Sequence, residues 1–207
     1  MLEQDLIDFE EDIASIYEQG IIRAPIHLRS GNESQLVDIF KNINTEDYVF
    51  STWASHLHCL LKGVPKEQVK EAILQGRSIT LNFPEYNLYS SAIVGGTPSI
   101  AVGTAYAIKK EKKKGRVYCF LGDMGFHTGI AYESIKYAVG HRLPITFVIE
   151  DNGKSVGTPT LNAWHIDTQT IYELMCKMAH GSQDVKIEYY RYESKYPHAG
   201  TGNFVEF

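Results

Sequence analysis

Leu2, Leu6, Phe9, Ile13 and Ile16 or Tyr17 recur at helical spacing and stop at Gly20. The pattern predicts an amphipathic helix over 2–19 that docks one face on the rest of the molecule. A second helix is expected over 32–42 and a third over 65–75, with Pro65 at its first position and Gly76 as its stop. The segment "YVFSTWASHLHCLLKG" between them has no single period. Over 97–113 the chain starts small and apolar and then becomes "KKEKKKG". Its first half predicts a buried helix, its lysines a solvated helix end that complements the dipole, and Gly115 the stop. Beyond it, apolar runs typical of buried strands ("RVYCFLGD", "LPITFVIEDN", "VKIEYYRYES") alternate with helical patterns ("TGIAYESIKYAVGH", "TQTIYELMCKMAHG"). That alternation predicts an α/β fold, a parallel sheet with helices on both faces.

Composition narrows the picture without changing it. With 43% hydrophobic residues among 207, the chain can bury a core, and residues 1–207 read as one domain with 1–30 as a helical N-terminal arm. A net charge of −5 lacks the basic field of a nucleic-acid binder. No apolar run approaches the ~20 residues of a membrane span, and the N-terminus lacks the pattern of a signal peptide. Cys59, Cys119 and Cys176 are an odd set without CxxC spacing and read as reduced core residues, which fits the cytoplasm.

The candidate chemistry lies at two strand ends. Successive parallel strands with right-handed crossovers present their carboxyl ends on one edge, where ligands bind. Asp123 follows the first of two such strands and Asn152 the second, with 28 residues between them. Two hard oxygens plus a carbonyl from the next turn make half of an octahedral magnesium site, which phosphate oxygens and water would complete. Gly122, Gly125 and Gly129 bracket Asp123, as expected where backbone approaches a ligand closely. Each half also has a plain structural explanation, since Asp after a strand caps helices and Asp-Asn-Gly makes turns. His56 and His58 would share one face of a strand, but no third ligand follows at a metal-like spacing, so packing or loop roles fit them better. A nicotinamide-binding reading fails on "GDMGFHTG", which lacks the required glycine spacing.

The pairing of Gly-Asp with a later Asn resembles the thiamine-diphosphate-binding motif. "HLRSGNES" is similar to HLxxGQEA, "STWASHLHCLLKG" to STHRSHxHxLAKG, and "GRSITLNFPEYNLYSSAIVGGTPSIAVGTA" to GGSMHL...GIVGxxxPxAxGxA. On these segments the chain resembles the α subunit of the thiamine-dependent first component of 2-oxo acid dehydrogenases. The resemblance implies that Asp123, Asn152 and the Lys154 carbonyl ligate Mg2+. It further implies that Met124 and Gly125 offer backbone to the diphosphate, that Ala92 and Val94 face the aminopyrimidine, and that His27 and Trp53 lie near the cofactor. An ordinary loop or core histidine remains an equal reading of His27 by itself.

The resemblance also implies a β-type partner that supplies the activating glutamate, an assembly of two α and two β chains, and a 2-oxo acid substrate; it assigns no catalytic residue within this chain. A transketolase-like N-terminal subunit and a non-catalytic paralogue are the alternatives. Departures from the family pattern are Trp53-Ala54 where a Tyr-Arg or His-Arg pair grips the diphosphate, Met124 in place of a glycine, a shorter region after Thr160, and "YYRYESKYPHAGTG". That last segment keeps Tyr190 and Arg191 but puts Glu193 to Tyr196 where Gly-His-Ser is expected, leaving His198 as a possible substitute.

Overall fold

The computed structural model describes residues 1–206. In chain order the helices are α1 (Glu3–Glu18), α2 (Glu33–Phe40), α3 (His56–Leu61), α4 (Lys66–Leu74), α5 (Pro98–Lys110), α6 (Asp123–Phe126), α7 (Gly129–His141), α8 (Thr160–Trp164) and α9 (Thr168–Ala179). The strands are β1 (Tyr48–Ser51), β2 (Leu88–Ser90), β3 (Val117–Gly122), β4 (Ile145–Asp151), β5 (Lys154–Ser155), β6 (Thr158–Pro159) and β7 (Val185–Arg191). Five strands form one sheet in the order β2-β1-β3-β4-β7, every pair parallel.

The side chains of β3 and β4 alternate between two cores, as a strand covered on both faces requires. Val117, Cys119, Leu121, Ile145, Phe147 and Ile149 pack with α5, α7 and α9. Tyr118, Phe120 and Val148 face the other way, onto a core built from α1 to α4 through Leu6, Phe9, Ile13, Leu36, Leu57 and Ile73. The expected docking of the first helix is thus met, although Leu2 at its start is exposed.

Three expectations need correction. His56 and His58 lie in a buried helix, α3, and not on a strand. They point to separate partners: His56 bonds Glu10 at 3.0 Å and Ser78 at 2.8 Å, while His58 meets Ser51 at 2.6 Å. A strand reading failed here because the polar atoms of this segment are satisfied by residues remote in sequence. The helix over 97–113 buries only one face, through Ala101, Val102, Ala105 and Ile108, and ends at Lys110, so Gly115 lies beyond its stop. Finally, the polar turn after β4 contains a small antiparallel hairpin, β5–β6, too short to carry a strand period.

Among the described residues, no helix is long and apolar enough to cross a membrane.

Candidate functional site at the carboxyl edge of the sheet

The register of β3 on β4 ends with Gly122 beside Glu150, which sets Asp123 alongside Asp151 and one step from Asn152. These ends open into a cleft that is continuous with solvent. Gly122 to Gly125 and Asn152 with Lys154 to Val156 supply two of its sides, and Thr52 to Ala54 and Ile93 to Gly95 supply two more. His27 to Arg29, and Tyr192, Ser194 and Tyr196 to His198, close it. The cleft therefore brings together His27, Trp53, Val94, Asp123, Met124, Gly125, Asn152 and Lys154. Ala92 is exposed and stands outside the cleft wall.

Asp123 is buried at 2% exposure, and its Oδ2 accepts a hydrogen bond from the Thr160 hydroxyl. Burial raises its pKa, and the neighbouring Asp151 adds to this against the Thr160 bond, so the carboxyl is pushed up to about 6. Asn152 Oδ1 accepts from the Lys154 amide at 3.3 Å, a local turn that fixes the amide side chain. Thr128 caps α7 and donates its hydroxyl to the Gly125 carbonyl at 2.7 Å, which pins the loop below the cleft.

Beneath the cleft runs a buried polar network. Arg29 grips Glu150 with two bonds of 2.7 Å, while Tyr190 donates to Glu150 Oε1 at 2.6 Å. His58 Nε2 stands 3.3 Å from the same oxygen and its Nδ1 2.6 Å from the Ser51 hydroxyl, so Nε2 carries the proton and Nδ1 accepts. Burial alone would raise the Glu150 pKa; Arg29 first, then His58 and Tyr190, overcome it and hold the carboxyl at about 2. Arg29 also donates to the Ala54 carbonyl and to Thr52 Oγ1, tying its own loop and the Thr52–Ala54 wall of the cleft to Glu150 of β4.

At the opposite end, His27, Trp53 and His198 form a ring cluster with centroids 4.5 to 6.0 Å apart. His27 Nδ1 bonds the His198 carbonyl, and burial lowers the pKa of both imidazoles. The segment carrying His198 crosses the N-terminal loop so closely that a Cβ on Gly31 (φ +82°) would overlap the Glu193 carbonyl, which leaves only glycine at that position.

Sequence reasoning passed over Arg29, Glu150, Asp151 and Thr160. A signal existed for Glu150: an acid inside a buried apolar strand requires a cationic partner. Nothing in the sequence pointed to Arg29 or Thr160, because their partners are 121 and 37 residues away.

An open parallel sheet with polar donors from adjacent inner strands converging on a cleft at its carboxyl edge defines a ligand-binding α/β protein. The chain matches the Dehydrogenase E1 component family over residues 3–178 and belongs to it. It is 28% identical over 161 residues to the alpha subunit of acetoin:2,6-dichlorophenolindophenol oxidoreductase from Bacillus subtilis, covering 73% of this chain and 48% of that one. It is 30% identical over 167 residues to the pyruvate dehydrogenase E1 component subunit alpha of Porphyra purpurea, covering 72% and 48%. Against the chloroplastic subunit alpha-3 of Arabidopsis thaliana the identity is 29% over 181 residues, covering 78% and 42%. The chain spans less than half the length of these relatives.

Proposed function

We propose that this chain holds the magnesium-diphosphate end of thiamine diphosphate and that, with a β-type partner, it forms an enzyme that decarboxylates a 2-oxo acid. The observation that carries the reading is the convergence of Asp123, Asn152 and Lys154 on one cleft edge, with Gly125, Val94, His27 and Trp53 around it. The donor set suits the group. Among the described residues no three His, Cys, Asp or Glu gather as a metal site, and magnesium held mostly by phosphate and water needs no such cage. Asp123 is a buried carboxyl beside a second acid, an arrangement a divalent cation relieves. A Cβ at Gly122 or Gly125 would meet nothing within 4 Å, so there is open space above this backbone for a ligand.

When bound, thiamine diphosphate supplies a nucleophilic thiazolium carbon and an electron sink; the protein binds, orients and excludes water. In this chain Asp123, Asn152 and the Lys154 carbonyl hold the cation, the backbone of Met124 and Gly125 faces the diphosphate, and the Val94 segment meets the ring system. His27 and His198 offer neutral imidazoles to the cleft. The glutamate that activates the cofactor comes from the β-type partner, which docks on the exposed apolar side chains of α5 and α7, among them Ile100, Tyr106, Ile130 and Tyr137.

Titration calorimetry of the chain with thiamine diphosphate, with and without Mg2+, tests the reading. Metal-dependent binding that Asp123→Asn removes supports it, and absence of binding with Mg2+ present rejects it. A non-catalytic paralogue is the second reading, favoured by Ala54. Arg29 reaches that position but is committed to Glu150, so it does not replace a phosphate-gripping guanidinium. Turnover of pyruvate or branched-chain oxo acids by the chain with a co-expressed β-type partner separates the two readings, and ketose phosphates in the same assay test a transketolase-like activity.

A further inference from the structure

We infer that Asp151, Tyr189 and Arg191 form a clamp that positions the turn carrying Asn152 and Lys154, and thereby sets the affinity of the cleft for a divalent cation. The inference rests on reading Asn152 and Lys154 as cation ligands. Asp151 ends β4 directly opposite Arg191 of β7 and is fully buried. Its Oδ1 accepts from the Gly153 amide at 2.8 Å, while its Oδ2 accepts from the Tyr189 hydroxyl at 2.7 Å and from Arg191 Nη1 at 3.2 Å. One carboxylate therefore holds the turn on one side and the edge strand on the other.

The fit is tight at Gly153. Its φ of +75° is a left-handed conformation, and a Cβ there would lie 2.9 Å from Arg191 Nη2, so the guanidinium closes the space over the turn. The Gly153 carbonyl accepts from the Thr160 amide at 3.0 Å, and the Thr160 hydroxyl donates to Asp123. A continuous set of bonds thus links β7, Asp151, the turn and Asp123. The Arg191 side chain is 64% exposed, so the contacts it supplies are made at this turn and not in the core. Groups that orient ligands in this way commonly change metal affinity about 10- to 100-fold when removed.

The sign of the effect distinguishes this role from a charge effect. Arg191→Ala deletes a positive charge close to Asp123, so electrostatics alone predict tighter cation binding. The clamp predicts weaker binding. The experiment is Mn2+ titration of the full chain in the presence of thiamine diphosphate, read by electron paramagnetic resonance, with the thermal midpoint measured on the same samples.

The expected result is about tenfold or greater loss of Mn2+ affinity in Arg191→Ala, partial recovery in Arg191→Lys, and loss in the charge-neutral Tyr189→Phe. Unchanged or tighter binding in Arg191→Ala, with the wild type binding normally, overturns the clamp and leaves the proposed function standing. If Arg191→Ala does not fold, Tyr189→Phe decides: wild-type affinity in that variant rejects the clamp. A wild-type chain that binds no Mn2+ rejects the proposed function and the clamp with it.

Discussion

Asp123 sits where the fold opposes its ionisation, and this gives it two opposite dependences on pH. Its carboxyl moves from an ordinary 3.8 to about 6 because burial, aided by Asp151, outweighs the Thr160 bond. A carboxyl raised in the folded state stabilises the fold fully below pH 3.8, and that contribution is lost as pH rises through about 6. In metal-free protein at pH 8, Asp123→Asn is therefore expected to raise stability, by about 1–3 kcal/mol in urea unfolding; an equal or lower midpoint would refute the assignment. Cation affinity runs the other way. Below about pH 6 a proton competes for the same oxygen, so Mn2+ binding should fall about tenfold per unit of acidification and level off above neutrality. A titration series from pH 5 to 8 checks the slope.

At the scale of elements, the Arg29–Glu150 pair decides whether the loops of the cleft stay attached to β4. Removing one partner of a buried ion pair leaves an uncompensated charge and costs about 3–5 kcal/mol. Arg29→Ala is expected to lose that much in denaturant unfolding at neutral pH, and Arg29→Met with Glu150→Met should regain a large part of it. Glu150 is depressed from 4.5 to about 2, so its contribution is present above pH 4.5 and disappears as pH falls through 2. The gap between wild type and Arg29→Ala should narrow over that interval; a constant gap would assign the loss to packing.

The same pair marks how far the elements could be read from sequence. α1, α7, α9 and the strands β3, β4 and β7 followed from local pattern because their apolar residues are regularly placed or continuous, whereas the four- and three-residue strands β1 and β2 are too short to carry such a signal. α3 did not, since His56 and His58 are buried only by virtue of Glu10, Ser78, Ser51 and Glu150, contacts that tertiary packing alone creates. Asp123 and Asn152 could be paired by topology, whereas the clamp at Asp151 depends on β7 falling in exact register beside β4.

Across the whole molecule, the two faces of the sheet are unequally covered. The face carrying α1 to α4 seals its core, whereas α5 and α7 bury one side and leave Ile100 at 59% and Tyr106 at 44% exposure. Surface substitutions usually change stability by less than about 0.5 kcal/mol. Ile100→Glu and Tyr106→Glu should accordingly leave the thermal midpoint nearly unchanged while abolishing co-purification with a β-type partner. Retained co-purification would move the docking surface elsewhere.

The strand order has a last consequence. β3 and β4, like β1, are laddered on both flanks, and it is from the ends of β3 and β4 that Asp123 and Asn152 hang. Strands zipped on both flanks fray last. The residues proposed to anchor a cation therefore hang from inner strands of the sheet, whereas His27, Trp53 and His198 stand on loops outside it.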